Sequence, residues 1–298
     1  MSLSIGISLK FGQRRRDTPA PRPSASGGIE TVITQDDKFY RVHTFLSSGA
    51  LTVTQGGAFE FLCIAGGGGG SRNSSFNAPR GGGGGAGGWQ KYVAGEAHNT
   101  DSGPLALLVG AIPIQVGNGG PRQNNGTGGK GENSSIGALI QSVGGGQGAV
   151  GADTTAGPEA DGGSGGGGSA GTGGAGIPGQ GHDGGENDSS RAGGGGGAGG
   201  PGEDASVSKA GDGGPGLPSV IDGTSVFRAG GGGGCARGSD IKGEGGLGGG
   251  GDALQSGVPN TGSGGGGGTE LGDSGDGGSG IVIVRYEISQ AEYNAESA

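Results

Sequence analysis

The sequence predicts a mainly β fold, a small antiparallel β-sandwich joined to a bundle of polyglycine-II helices, with almost no α-helix. Three observations carry that expectation. Residues 59–65 alternate like a strand, with Phe59, Phe61, Cys63 and Ala65 on one face and Leu62 and Ile64 on the other, and they run straight into five glycines at 66–70. A mirror image closes the chain, where residues 277–280 lead into the apolar run 281–288. Between these ends glycine dominates: the 298 residues include 88 Gly and 13 Pro, with only 29% apolar and 4% aromatic, so a side-chain core can fill only part of the chain.

Residues 1–28 form a basic arm. Lys10, Arg14, Arg15, Arg16 and Arg22 stand against Asp17 alone, a local +4 that leaves −13 of the net −9 for the remainder. Leu3, Ile5, Ile7, Leu9 and Phe11 alternate with small polar residues, as suits a strand added to a partner's sheet edge, and Arg14, Arg15 and Arg16 would meet an acidic surface. A frayed tail is the other reading. The prolines at 19, 21 and 23 stiffen the far half of the arm.

Short strands with turns between them come next: residues 29–34, 39–45, 50–54 and 58–65 read as an antiparallel meander. Further strands are expected at 89–93, 105–109, 112–116, 136–143 and 281–288, enough for two small sheets. The sandwich base thus draws on 29–65, parts of 89–143 and 281–288, the bundle lies mainly in 66–88 and 144–280, and 289–298 is a C-terminal tail.

The glycine tracts recur as near-copies, and 81–88 and 193–200 share the sequence Gly-Gly-Gly-Gly-Gly-Ala-Gly-Gly. Ordering glycine loses much backbone entropy, so such tracts stay disordered unless something compensates. Missing side chains offer that compensation. Extended helices of three residues per turn can approach closely and pair their N–H and C=O groups in several directions. Composition alone leaves both readings open. Collagen is excluded, because the tracts break any Gly-X-Y frame.

Tyr40-Arg-Val-His-Thr-Phe45, residues 61–70, Ile114-Gln-Val-Gly-Asn-Gly-Gly120, residues 260–268 and the closing residues 278–286 together resemble the glycine-rich domain of bacteriophage tail-fibre and other virion proteins. The resemblance covers roughly residues 29–288. It implies the sandwich and polyglycine-II bundle, a non-enzymatic structural or host-attachment role in a virion, and no cofactor. Expected partners are other virion proteins of tail, baseplate or capsid, with a bacterial surface receptor and a second copy of the chain as further candidates. Residues 1–28 lie outside it, as an attachment arm.

Chemistry-bearing motifs are sparse. Gly-x-Gly-x-x-Gly matches arise in any polyglycine sequence, and Gly131 stands where a phosphate loop needs Ser or Thr after Lys130. His43, His98 and His182 lack metal-ligand spacing, and His43 is placed on a strand face. Asp212, Asp273 and Asp276 sit in glycine-rich turns and would bind Ca²⁺ only if clustered; solvated carboxylates are the simpler reading. Cys63 and Cys235 are expected as buried thiols, with a bridge as the alternative. The acidic, aromatic-poor body argues against nucleic acid, and no apolar run approaches the roughly 20 residues that span a membrane. Recognition falls to the polar segments linking the tracts, and the best-equipped clusters are Arg72, Phe76 and Arg80, and Arg122, Gln123 and Asn124. Three roles are compatible with these residues: a rigid tail- or capsid-attached appendage, a receptor-binding adhesin, and an ice-binding or extracellular structural protein.

Overall fold

A computed structural model describes residues 22–72, 81–100, 103–122, 128–150, 157–169, 171–188, 190–238, 240–269 and 272–296. Strands β1 (Ser24–Ser26), β2 (Ile29–Gln35), β3 (Lys38–Phe45), β4 (Gly49–Gln55) and β5 (Gly57–Ile64) succeed one another at short turns. Then come β6 (Trp89–Tyr92), β7 (Leu105–Leu107), β8 (Gly110–Gln115), β9 (Ser134–Ile136), β10 (Ile140–Ser142), β11 (Leu217–Ser219), β12 (Val226–Arg228), β13 (Ile281–Ile288) and a short helix α1 (Gln290–Glu296). The protein is mainly β, with three antiparallel sheets among the described residues.

One sheet has the order β2-β3-β13-β5-β6, with β7 also paired to β5; a second runs β1-β4-β8-β9-β10. The two sheets share one core. Phe59, Phe61, Cys63, Val282, Val284 and Tyr286 meet Leu51, Val53, Ile114 and Ile136 from the facing sheet. The opposite face of β5 and β13 is buried as well: Leu62, Ile64, Ile281 and Ile283 pack with Trp89, Ala86, Ala198, Ile221 and Ala229. Hence β5 and β13 read as nearly continuous apolar runs, as strands covered on both faces do. They pair directly, Ile281 opposite Ile64 and Val284 opposite Phe61, so the last strand closes the sheet beside the strand that enters the glycines.

The small β11–β12 sheet lies against that second face and is held there by two buried cations. Arg285, 1% exposed, donates from Nε to Glu60 (2.6 Å) and from Nη1 to Gln35 (2.7 Å) and the Ile221 carbonyl (3.1 Å), with its guanidinium over the Tyr40 ring. Lys91 pairs with Glu96, whose other oxygen accepts from Ser219 Oγ and the Val220 N–H. Removing either cation would leave a carboxylate that is only 13% exposed without its countercharge, which costs more than losing a surface pair.

The glycine segments contain almost no helix or strand, yet most of their glycines are buried. Their backbone hydrogen bonds change direction at each residue and return every third. The N–H groups of Gly66 and Gly69 donate to Glu132 and Gly129, those of Gly67 and Gly70 to Gly278 and Gly275, and those of Gly68 and Ser71 to Gly85 and Gly82. The next segment repeats this. Gly82, Gly85 and Gly88 donate to Ala149, Gly146 and Val143, whereas Gly83 and Ala86 donate to Gly193 and Gly196 of a parallel neighbour. Side chains would destroy the approach: a Cβ built on Gly68 lies 2.0 Å from the Gly146 carbonyl oxygen. The single alanine of each repeated octet, Ala86 and Ala198, sits in the second core, where the array meets the strands.

Four features depart from the sequence expectation. β1 lies within the segment expected to be arm, and pairs with β4. Residues 136–143 form a hairpin instead of one strand, because Gly137 turns the chain at φ 54°. β11 and β12 were not expected at all. Helix α1 occupies the expected tail, with Ser289 and Glu292 forming a reciprocal capping box: Glu292 Oε2 accepts the Ser289 N–H (2.7 Å) and Ser289 Oγ accepts the Glu292 N–H (3.2 Å).

Candidate functional site

Chain polarity gives the molecule two chemically different ends. At the strand end, away from the glycine array, residues 22–27 are strapped to the sheets. Arg22 Nη1 donates to Glu287 Oε1 (2.8 Å) and the Ile288 carbonyl (3.0 Å), and Lys38 pairs with the same carboxylate. Burial works against the Glu287 charge, but hydrogen bonds from Arg22 and Lys38 hold its carboxyl below the ordinary range. The Ala25 N–H donates to the Tyr286 hydroxyl (3.1 Å), and Thr54 Oγ1 donates to the Ser24 carbonyl (3.2 Å). His43, fully buried on β3 and stacked on Tyr286, has Nδ1 2.8 Å from the Gly27 carbonyl. Burial lowers its pKa, only partly offset by that bond and by Glu30. The anchoring candidates Leu3, Ile5, Ile7, Leu9, Phe11, Arg14, Arg15 and Arg16 lie outside the described residues.

At the far end, the segments that link glycine tracts are tied to one another. Arg72 donates from Nε to the Thr269 carbonyl (2.8 Å) and ion-pairs with Asp273, so this guanidinium braces neighbouring turns. Arg122 is exposed, and its backbone N–H donates to Asp276 Oδ1 at 2.7 Å. Asp273 and Asp276 flank the Gly275 carbonyl, which accepts from Gly70, so the structure brings the stems of both expected contact loops together. Phe76, Arg80, Gln123 and Asn124 lie outside the described residues. Arg191 pairs with Asp188 and Asp240, and Lys209 with Asp212, linking further turns.

Sequence reading missed two features here. One is an exposed apolar pair, Val207 (83%) and Ile241 (61%), on adjacent turns joined by the bond from the Ile241 N–H to the Ser208 carbonyl. The other is the role of the aspartates. Asp161, Asp183, Asp204, Asp212, Asp252 and Asp276 each accept, through Oδ1, a backbone N–H from a glycine-array segment at 2.7–2.8 Å. The signal was available: Asp precedes Gly at 161, 183, 212 and 276, at the edges of tracts.

Burial pushes the Cys63 thiol up to about 12, and Cys63 and Cys235 are separate buried thiols rather than a disulfide. Asp212 and Asp273 face Lys209 and Arg72, and Asp276 receives a backbone N–H, so cation partners already occupy the first two. Among the described residues, no three His, Cys, Asp or Glu side chains converge to hold a metal ion. No helix there is long and apolar enough to cross a membrane.

Antiparallel sheets that hand over to backbone-packed glycine define a glycine-rich class of protein. The glycine-rich domain model matches residues 45–287, and the chain belongs to that family. No curated protein matches it.

Proposed function

We propose that the chain is a non-enzymatic structural protein of a phage virion, an appendage fixed to a tail, baseplate or capsid protein through residues 1–21. The observation that carries this reading is polarity. Arg22 leaves the strands beside the close of β13, while the glycine tract that β5 feeds carries the chain away from the sheet to Arg72, whose turn is braced by Asp273. An element held at one end and presented at the other is the geometry of an appendage. The resemblance of the opening and closing motifs to virion proteins supplies the setting.

The glycine array, on the same reading, is a bundle of polyglycine-II helices. Support comes from the three-residue return of hydrogen-bond direction, the mixture of parallel and antiparallel neighbours, and Cβ positions that would collide with backbone. Amide hydrogen exchange tests it: protection should extend through residues 66–70 and 82–88 as strongly as through β5, and exchange as fast as in a linker would refute it.

Deleting residues 2–21 should abolish incorporation into particles while leaving the remaining domain folded. Unchanged incorporation would sink the attachment role. A receptor-binding adhesin is the second reading, favoured by the exposed Val207 and Ile241 at the far end. Binding of the purified protein to whole cells, lost on Val207→Ser with Ile241→Ser, would select it.

A further inference from the structure

A cleft of about 660 Å³ opens where the glycine array meets the strands, within the size range of small-molecule sites. It is distinct from both ends described above. Trp89, 1% exposed, contributes to its floor, and the indole Nε1 is buried without an acceptor. Leu217 and the rings of Pro178 and Pro201 give it apolar surface. At the rim stand His98 and His182, both exposed and without a side-chain partner among the described residues.

The walls are already fixed. Asp183 uses Oδ1 on the Gly176 N–H, which leaves Oδ2 as an acceptor at the cleft. The Gln180 carbonyl accepts the Trp89 backbone N–H, and its side chain accepts the Val143 backbone N–H, so the 177–181 turn is locked to the sheet edge. Asn99 binds both Val93 backbone groups, which seats His98 in its left-handed conformation at φ 57°. Such pre-ordering is what a weakly held ligand requires.

We propose that this cleft binds a neutral saccharide ring. Among the described residues no Lys or Arg lines it and Asp183 does, which disfavours an anion. Among the described residues His98, His182 and Asp183 do not converge to hold a metal ion. A wholly apolar ligand would leave the imidazoles and the Asp183 oxygen without partners. A pyranose matches the lining on both counts, setting its C–H face on the prolines and Leu217 and its hydroxyls toward His98, His182 and Asp183.

The chain has a single tryptophan, so intrinsic emission reports on the cleft floor alone. The full chain is titrated with methyl glucoside, methyl galactoside, methyl mannoside and N-acetylglucosamine, with saturation-transfer NMR as a second readout. At ordinary ligand efficiency a monosaccharide should bind with a Kd on the order of 1 mM. The double variant His98→Ala with His182→Ala, at exposed positions, should keep the native Tm and bind at least about tenfold more weakly, a loss of about 1.4 kcal/mol. Arg122→Ala, at the far end, should bind as the unmodified chain does. Absence of both signals with all four sugars overturns the proposal. Equal binding by the double variant overturns it too, as does a response to sodium sulfate without one to any sugar.

Discussion

Replacing Gly68 by alanine adds one carbon at a place where nothing can yield cheaply. The new Cβ would lie 2.0 Å from the Gly146 oxygen, 2.6 Å from its carbonyl carbon and 3.0 Å from the Gly145 oxygen, all backbone. Restoring ordinary contact near 3.4 Å moves one segment by roughly 1.4 Å. Three bonds meet there: Gly68 N–H to Gly85 O and Gly85 N–H to Gly146 O, both 2.8 Å, and Gly265 N–H to Gly68 O at 3.0 Å. Losing about two of them in a buried setting costs about 1–3 kcal/mol each, less whatever relaxation recovers, and overpacking adds about 1–3 kcal/mol. A total of roughly 3–6 kcal/mol corresponds to a Tm lower by roughly 5–10 °C at this chain size. Gly157→Ala is the control, since a Cβ there meets nothing within 4 Å. It should be neutral or stabilise by about 0.4–1 kcal/mol through the unfolded chain. Calorimetry and limited proteolysis read both variants. Equal Tm values and equal cleavage would refute backbone packing as the source of order in the array.

Turns, titrating groups and ion pairs give further expectations. Asp36 and Asp37 form the two-residue β2–β3 turn with φ of 49° and 59°, a left-handed pair suited to Asn-Gly, so Asp37→Gly should stabilise by about 1 kcal/mol and raise Tm in calorimetry. His43 titrates lower in the folded protein than its ordinary value of about 6.5, so the unfolded chain takes up the proton first and stability falls as pH drops below that value. A Tm–pH series should show this fall in the native protein and a flatter profile in His43→Gln. Arg72→Ala should cost about 1–3 kcal/mol by removing a charged bond to the Thr269 carbonyl, whereas Arg122→Ala should leave Tm unchanged because its bond to Asp276 uses the backbone.

What was legible in the sequence was whatever side chains encode. The alternation of residues 59–65 assigns Phe59, Phe61 and Cys63 to one core and Leu62 and Ile64 to the other, as found. Residues 281–288 were legible as a strand from their apolar run, and the structure pairs that strand with β5. β11 and β12 escaped notice because three-residue strands, one containing Pro218, are too short for a period to show. Helix α1 was overlooked although Ser289-Gln-Ala-Glu292 spells out its cap, since its side chains bury little and leave no amphipathic stripe. The order of segments in the array could not be read at all. Backbone groups are identical from residue to residue, so hydrogen bonds between glycines carry no address. For the candidate ends, residue type identified Arg72 as a contact group, but only geometry shows its guanidinium engaged on Thr269 and Asp273.

The aspartates that accept array N–H groups bear on a problem familiar from crystal growth. Close-packed glycine chains have no natural perimeter, because every outermost chain offers the same donors and acceptors that recruited it. Left bare, that perimeter would add further chains, including those of other molecules, and the fold would seed its own aggregation. Asp161, Asp183, Asp204, Asp212, Asp252 and Asp276 occupy donors that a further chain would use, and they bring a charge that repels a like surface. Part of the chain's acidity is thus a terminator, which lets a growth-prone packing end as one discrete molecule.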